Sequence, residues 1–174
     1  MIGVYYGKRQ LILTGIAAAL AGTALHFLYS WQPNAVTALF FPICESLWEH
    51  SKIVFWPYLL AALWLNWGRP GGIRPWLLAL PLMVAGMLVL GFGYHVLAGG
   101  EALWVDIVLY LAVMAFGFWL PGRFSGPFNG VRWAIPAALT VLLGLLLGLF
   151  TLWPPEHVLF ADLSVAGAWL PLPC

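Results

Sequence analysis

Residues 44–52, Cys44-Glu45-Ser46-Leu47-Trp48-Glu49-His50-Ser51-Lys52, bring two carboxylates, an imidazole and an ammonium into one short stretch. Groups of this kind hold a divalent cation, move protons or do acid–base catalysis. On a helix, Glu45, Glu49 and Lys52 (i, i+4, i+7) share a face, and His50 turns about 100° from Glu49 toward other neighbours. Three more candidates lie elsewhere in the chain: His26, His95 and Asp106. Imidazole nitrogens and carboxylate oxygens from His26, Glu49, His50, His95 and Asp106 could supply the three protein ligands of a zinc-like site that leaves one position to water. Glu45 is then the candidate general base acting on that water. A proton relay uses the same residue types, and no HExxH or HxxxH pair favours the metal. Thr23, Tyr29 and Tyr94 are candidate hydrogen-bond partners.

The same stretch also has a purely local reading. Ser46-Leu47-Trp48-Glu49 is an S-x-x-E capping box, with Ser46 as N-cap and Glu49 at the third helical position. Acids in a first turn suit the positive end of the helix dipole, and Glu49 and Lys52 can neutralise each other. His50 has no part in such a box.

The surrounding elements are membrane helices. Of the 174 residues, 63% are hydrophobic and only 7% charged, against about 25% charged in an ordinary soluble domain. Mean hydropathy is +0.95. Five apolar segments stand out, at about 11–31, 47–67, 76–98, 103–120 and 133–153, separated by Gly/Pro-rich connectors. Most carry Trp or Tyr at an end, as interfacial belts do. Backbone groups in lipid need internal partners, so the expected fold is all-α: one transmembrane domain over residues 1–174, a five-helix bundle. The first segment, after Lys8-Arg9, is longer than the 7–15 apolar residues of a signal peptide and is expected to be retained.

Segment length draws the polar residues inward. Between Lys52 and Arg69 the uncharged stretch 53–67 is 15 residues long, and a span needs about 20. Glu49, His50 and Lys52 therefore enter the bilayer or its interface, where ionisable groups mark function by default. The stretch 107–122 is 16 residues long, which places Asp106 in the first turns of its helix. His26 falls about 7–8 Å below the end marked by Trp31.

Lys8, Arg9, Arg69, Arg74, Arg123 and Arg132 fall at one end of a five-helix chain, and Lys52 is the basic exception. The positive-inside rule makes that end cytoplasmic, with the N-terminus inside and the C-terminus outside. All six acids, Glu45, Glu49, Glu101, Asp106, Glu156 and Asp162, belong to the opposite end, as do His26, His50, His95 and His157. Metal or acid–base chemistry is thus expected in the outer half. A net charge of +1 without a basic run excludes nucleic acid as a partner. Cys44 and Cys174 make neither a disulfide framework nor a CxxC motif. Gly144 and Gly148 form a GxxxG, a pointer to close helix packing.

The stretch Phe40-Phe-Pro-Ile-Cys-Glu-Ser-Leu-Trp-Glu-His-Ser-Lys-Ile-Val-Phe-Trp-Pro resembles the signature of an uncharacterised family of small bacterial integral membrane proteins, roughly P-V-N-E-S-V-W-E-H-x-K-L-x-F-W-P. His26-Phe27-Leu28-Tyr29 is similar to that family's H-F-x-Y. Trp153-Pro154-Pro155 with Leu159-Phe160-x-Asp162 is similar to its closing motif, and Asp106-Ile107 also fits. Cys44 departs from the pattern, standing where the family usually has Asn and offering a softer ligand. The resemblance implies a membrane fold and no known activity.

These residues support an integral membrane protein of the cell membrane, multi-pass, with a His/Glu/Asp cluster in the outer half. The first expectation is a divalent-metal site, hydrolytic on a lipid-like substrate in an enzyme version. The alternatives are a non-catalytic assembly or partner protein whose polar cluster locks helix packing, and a proton- or ion-linked transporter. Membrane lipids are the expected surroundings, and a homo-oligomer or a membrane-protein partner fits the small chain.

Overall fold

The computed structural model describes residues 6–69 and 71–164. A chain so poor in polar side chains satisfies its backbone inside helices, and six α-helices follow in order. They are α1 (Lys8–Trp31), α2 (Ala35–Phe40), α3 (Leu47–Leu65), α4 (Arg74–Gly91), α5 (Leu103–Trp119) and α6 (Val131–Leu152). A π-helical turn, Phe92–Leu97, continues α4, and a 3-10 turn, Leu120–Arg123, follows α5.

The five expected segments all appear as helices, and the count is corrected by α2, a six-residue helix in the connector before α3. Its start is set by Asn34, whose side chain accepts hydrogen bonds from the Val36 and Thr37 amides while the Asn34 amide donates to the Thr37 hydroxyl. That reciprocal cap stabilises a helix too short to persist alone.

Among the described residues, four helices are long and apolar enough to cross a membrane: Lys8–Trp31, Arg74–Leu97, Leu103–Arg123 and Val131–Leu152. The exception is α3, which carries Glu49, His50 and Lys52. It is instead the central helix: 13 of its 19 residues are buried, and α1, α4, α5 and α6 all pack against it. Glu49 and Lys52 are buried within the protein, which removes the need for an apolar surface around them. The outer helices show the converse pattern, exposing large apolar side chains such as Ile12, Leu20, Val89, Ile107, Leu145 and Leu149. Such a surface, too large for a water-soluble monomer, suits a bilayer.

Glycines and hydroxyls set how closely the helices approach. A Cβ on Gly22 of α1 would overlap both the Tyr110 hydroxyl and the Ile53 carbonyl oxygen, so α1 lies directly on α3 and α5. The Tyr110 hydroxyl donates to the Ala19 carbonyl at 2.9 Å, and Tyr58 of α3 donates to the Gly117 carbonyl of α5 at 2.7 Å. Of the GxxxG pair, Gly144 faces Phe55 of α3, with room for a Cβ only at 3.2 Å from its ring, and Gly148 faces Leu39 of α2.

Candidate metal centre

One end of the bundle gathers the polar residues, and Gly22 explains the position of the first. His26 lies one turn beyond Gly22 on α1, where the close approach to α3 brings its ring against the start of that helix. The second residue arrives by a bend. Ser46 is the N-cap of α3, its hydroxyl accepting from the Glu49 amide at 3.2 Å, so Glu45 stands outside the helix. The shared face expected for Glu45, Glu49 and Lys52 is corrected accordingly: Glu45 leaves the helical register and turns toward His26 and His50. The third residue, His50, lies in the first turns of α3.

His26 Nε2 is 3.3 Å from Glu45 Oε1, and His50 Nε2 is 3.3 Å from Glu45 Oε2. The two imidazole rings are 5.1 Å apart between centroids. One ligand atom from each of the three residues falls within 4.8 Å of the others. Bonds of about 2.0 Å in a tetrahedral zinc site put neighbouring ligand atoms about 3.3 Å apart. The two imidazole–carboxylate separations match that value, so the three residues could hold a metal ion.

Hydrogen bonding orients the His50 ring for that role. His50 Nδ1 is 2.8 Å from the Ser46 carbonyl oxygen. A carbonyl can only accept, so Nδ1 carries a proton, and Nε2 faces Glu45, donating to the carboxylate when protonated and offering a lone pair to a cation when not. Between that lone pair and a carboxylate only a proton or a cation is comfortable. A histidine ligand tied to a backbone carbonyl through its other nitrogen is the usual support around metals. Hydrogen bonds from His26 and then His50 hold the half-exposed Glu45 carboxyl well below the usual carboxylate range, against the opposing effect of burial.

Glu49 lies in a separate, fully buried knot. Its Oε2 is 2.6 Å from Lys52 Nζ, with the Glu49 side chain 3% exposed and that of Lys52 0%. Lys52 also donates to the Ala38 carbonyl at 2.6 Å and the Phe41 carbonyl at 3.3 Å. These carbonyls sit at the C-terminal end of α2, where a cation suits the helix dipole. The Glu49 carboxylate further accepts from the Ile43 amide at 3.0 Å and lies 3.0 Å from the Thr151 hydroxyl of α6. The capping box is thus half formed: Ser46 caps α3, and Glu49 ties α2, α3 and α6 together. A charge pair with this many partners is satisfied by the protein itself.

His95 and Asp106 form a third unit. The π-helical turn carries His95, and Asp106 occupies the first turn of α5, as segment length requires. His95 Nε2 is 2.8 Å from Asp106 Oδ1, and Nδ1 is 2.8 Å from the Gly100 carbonyl oxygen. Both ring nitrogens are engaged, one by a backbone carbonyl and one by a carboxylate as in His50, and neither His95 nor Asp106 falls in the three-residue group. The pair does share a cavity with the first cluster. About 400 Å³ in volume, the cavity is lined by Glu45 and His50 on one side and by His95, Glu101 and Asp106 on the other, with Leu47, Met87 and Leu109 among the apolar walls.

The six candidates from the sequence are therefore close together but divided: His26, Glu45 and His50 in one group, Glu49 with Lys52, and His95 with Asp106. Thr23 bonds its own helix at the Ala19 carbonyl, and the Tyr94 hydroxyl accepts from the Ala102 amide, so neither serves the cluster. Thr151 was not singled out by its sequence context, because a hydroxyl near the end of an apolar helix carries no signal of its partner. Cys44 is disulfide-bonded and offers no thiolate; Cys174 lies outside the described residues.

The model of a family of unknown function (DUF6512) matches residues 5–169. No curated protein and no solved structure matches the chain.

Proposed function

We propose that this chain, which belongs to the DUF6512 family of unknown function, is a multi-pass membrane protein that holds a zinc-like divalent cation between His26, Glu45 and His50. The observation carrying this reading is the spacing of three ligand atoms within 4.8 Å, with His50 locked by its Nδ1 bond to Ser46. Three protein ligands leave a position for water or substrate, the pattern of a catalytic and not a purely structural zinc site. A cation held there polarises a carbonyl or phosphoryl oxygen and lowers the pKa of bound water. Glu45 then serves as a ligand, in place of the general-base role its sequence position suggests. Two of the three ligands line the cavity, whose polar floor and apolar walls fit a lipid-like substrate with a hydrolysable group at headgroup depth.

In this reading the basic end is cytoplasmic, the N-terminus is inside, the C-terminus is outside, and the protein resides in the cell membrane. Reporter fusions at the two termini check the orientation. A second reading, a non-catalytic assembly protein alone or with copies of itself, is favoured by the Glu49–Lys52 knot, which ties three helices without any need for a ligand.

Metal analysis of the purified protein separates them. The first reading expects about one equivalent of divalent metal per chain, lost in His50→Ala. Wild-type protein that contains no metal, takes none up from buffered zinc and melts identically with and without chelator overturns it.

A further inference from the structure

The opposite end of the bundle holds a second cavity that the metal reading does not use. About 630 Å³ in volume, it lies where the C-terminal end of α3, the start of α4 and the loop after α5 meet. Trp76, 1% exposed, and Tyr6, 6% exposed, form its floor. The half-buried rings of Phe124 and Phe128 form a wall and pack edge-on against Trp133 at 5.6 and 5.0 Å. The exposed Arg69 stands at the mouth, its guanidinium carbon 5.6 Å from the Tyr6 ring centroid.

This arrangement is built and not incidental. The Tyr6 hydroxyl donates to the Asn66 side-chain oxygen, fixing the segment before α1 against the end of α3. The Arg69 amide donates to the Asn66 carbonyl at 2.8 Å and the Gly72 amide to the Arg69 carbonyl at 2.9 Å, which shapes the turn that presents Arg69. Gly72 is required there, because a Cβ would stand 2.7 Å from the Asn66 side-chain oxygen. Arg74 holds the far wall, donating to the Phe128 carbonyl at 2.6 Å.

Charge selects the occupant. Six of the seven basic residues belong to this end of the bundle, and all six acids belong to the other. Orientation in a membrane requires only the number of such cations, whereas Arg69 is also set over an aromatic cavity. We propose that this cavity binds an anionic phospholipid of the adjoining leaflet, its phosphate on Arg69 and its glycerol and first acyl carbons against Trp76, Phe124 and the neighbouring prolines. Basic pockets at the ends of membrane helices recognise such headgroups, and a guanidinium matches phosphate oxygens through two parallel donors. A free phosphate has nothing to place on the aromatic walls, which is why a lipid is the better fit. Nothing in this proposal depends on the metal centre.

The test uses the full-length protein in neutral detergent, titrated with dihexanoyl phosphatidylglycerol, dihexanoyl phosphatidylcholine and inorganic phosphate, with binding followed by native mass spectrometry. The anionic lipid is expected to bind in preference to the zwitterionic one. Arg69→Gln should weaken it by about fivefold, the loss of one interfacial cation. Phe124→Ala should weaken it with all cations intact, and Arg123→Gln, outside the cavity, should leave it unchanged. Equal binding of both lipids, or an Arg69→Gln protein as tight as wild type, overturns the proposal. So does inorganic phosphate that displaces the lipid at equal concentration, which would mark a free-anion site.

Discussion

Gly22 of α1 lies so close to Ile53 of α3 that no side chain fits between them: a Cβ on the glycine would overlap the Ile53 carbonyl oxygen. One turn further along α1, His26 meets the start of α3 and the Glu45–His50 pair. A helix-packing contact of this kind decides whether the cluster exists at all.

Gly22→Ala is therefore expected to separate α1 from α3. The obstacle is backbone, which cannot rotate aside, so the cost should be that of overpacking a tight core, about 1–3 kcal/mol. Thermal unfolding in detergent measures the loss, and metal content measured alongside should fall. Gly86→Ala, where a Cβ meets open space, should unfold like wild type.

The division of the polar residues makes a sharp statement about metal content. If the proposed cation sits between them, His26→Ala, Glu45→Gln and His50→Ala should each strip it, because each removes one of the three proposed ligands. Glu49→Gln and Asp106→Asn should retain about one equivalent, since neither residue belongs to the group. If Asp106→Asn protein lost its metal as completely as His50→Ala protein, the ligand set would have to be redrawn.

Acid stability should depend on Glu45. Its carboxyl is held well below its ordinary value of 4.5 by His26 and His50, so the folded state binds its proton less readily than the unfolded chain. The stability this supplies is present in full above the unfolded value and is lost as pH falls from there toward the lower folded value. Because the side chain is 48% exposed, solvent screening keeps the effect modest. Metal-free wild type should lose stability below about pH 4.5 more steeply than Glu45→Gln, as followed by melting temperature against pH. Parallel curves for the two proteins would remove Glu45 from this role.

Lys52→Met leaves Glu49 buried without its cation and should destabilise the fold by about 3–5 kcal/mol. The double variant Glu49→Gln/Lys52→Met removes both charges and should recover much of that loss. Recovery stays incomplete because the Ala38 and Phe41 carbonyls still lack their donor. A double-mutant cycle on unfolding free energies gives the coupling; additive losses would mean that the two side chains do not act as a pair.

What the sequence by itself determined follows from one-dimensional quantities. Composition fixes a membrane-like helical chain, segment lengths pull Glu49, Lys52 and Asp106 inward, and charge order along an alternating bundle places the acids and histidines at one end. These readings need only the rise per residue and the direction of each helix. Pairing among the six polar candidates was beyond its reach, because a carboxylate and an imidazole of the same depth look alike in sequence. Glu45 and Glu49 differ by four positions and one N-cap. The bend before Ser46 sends the first to two histidines, and the helix sends the second to Lys52 and Thr151. The tertiary structure also decided that α3 is central, so that its charges face protein, and that α2 exists to receive Lys52. Contacts between helices depend on which faces meet and how closely, and Gly22 shows that this rests on a distance no sequence pattern prints.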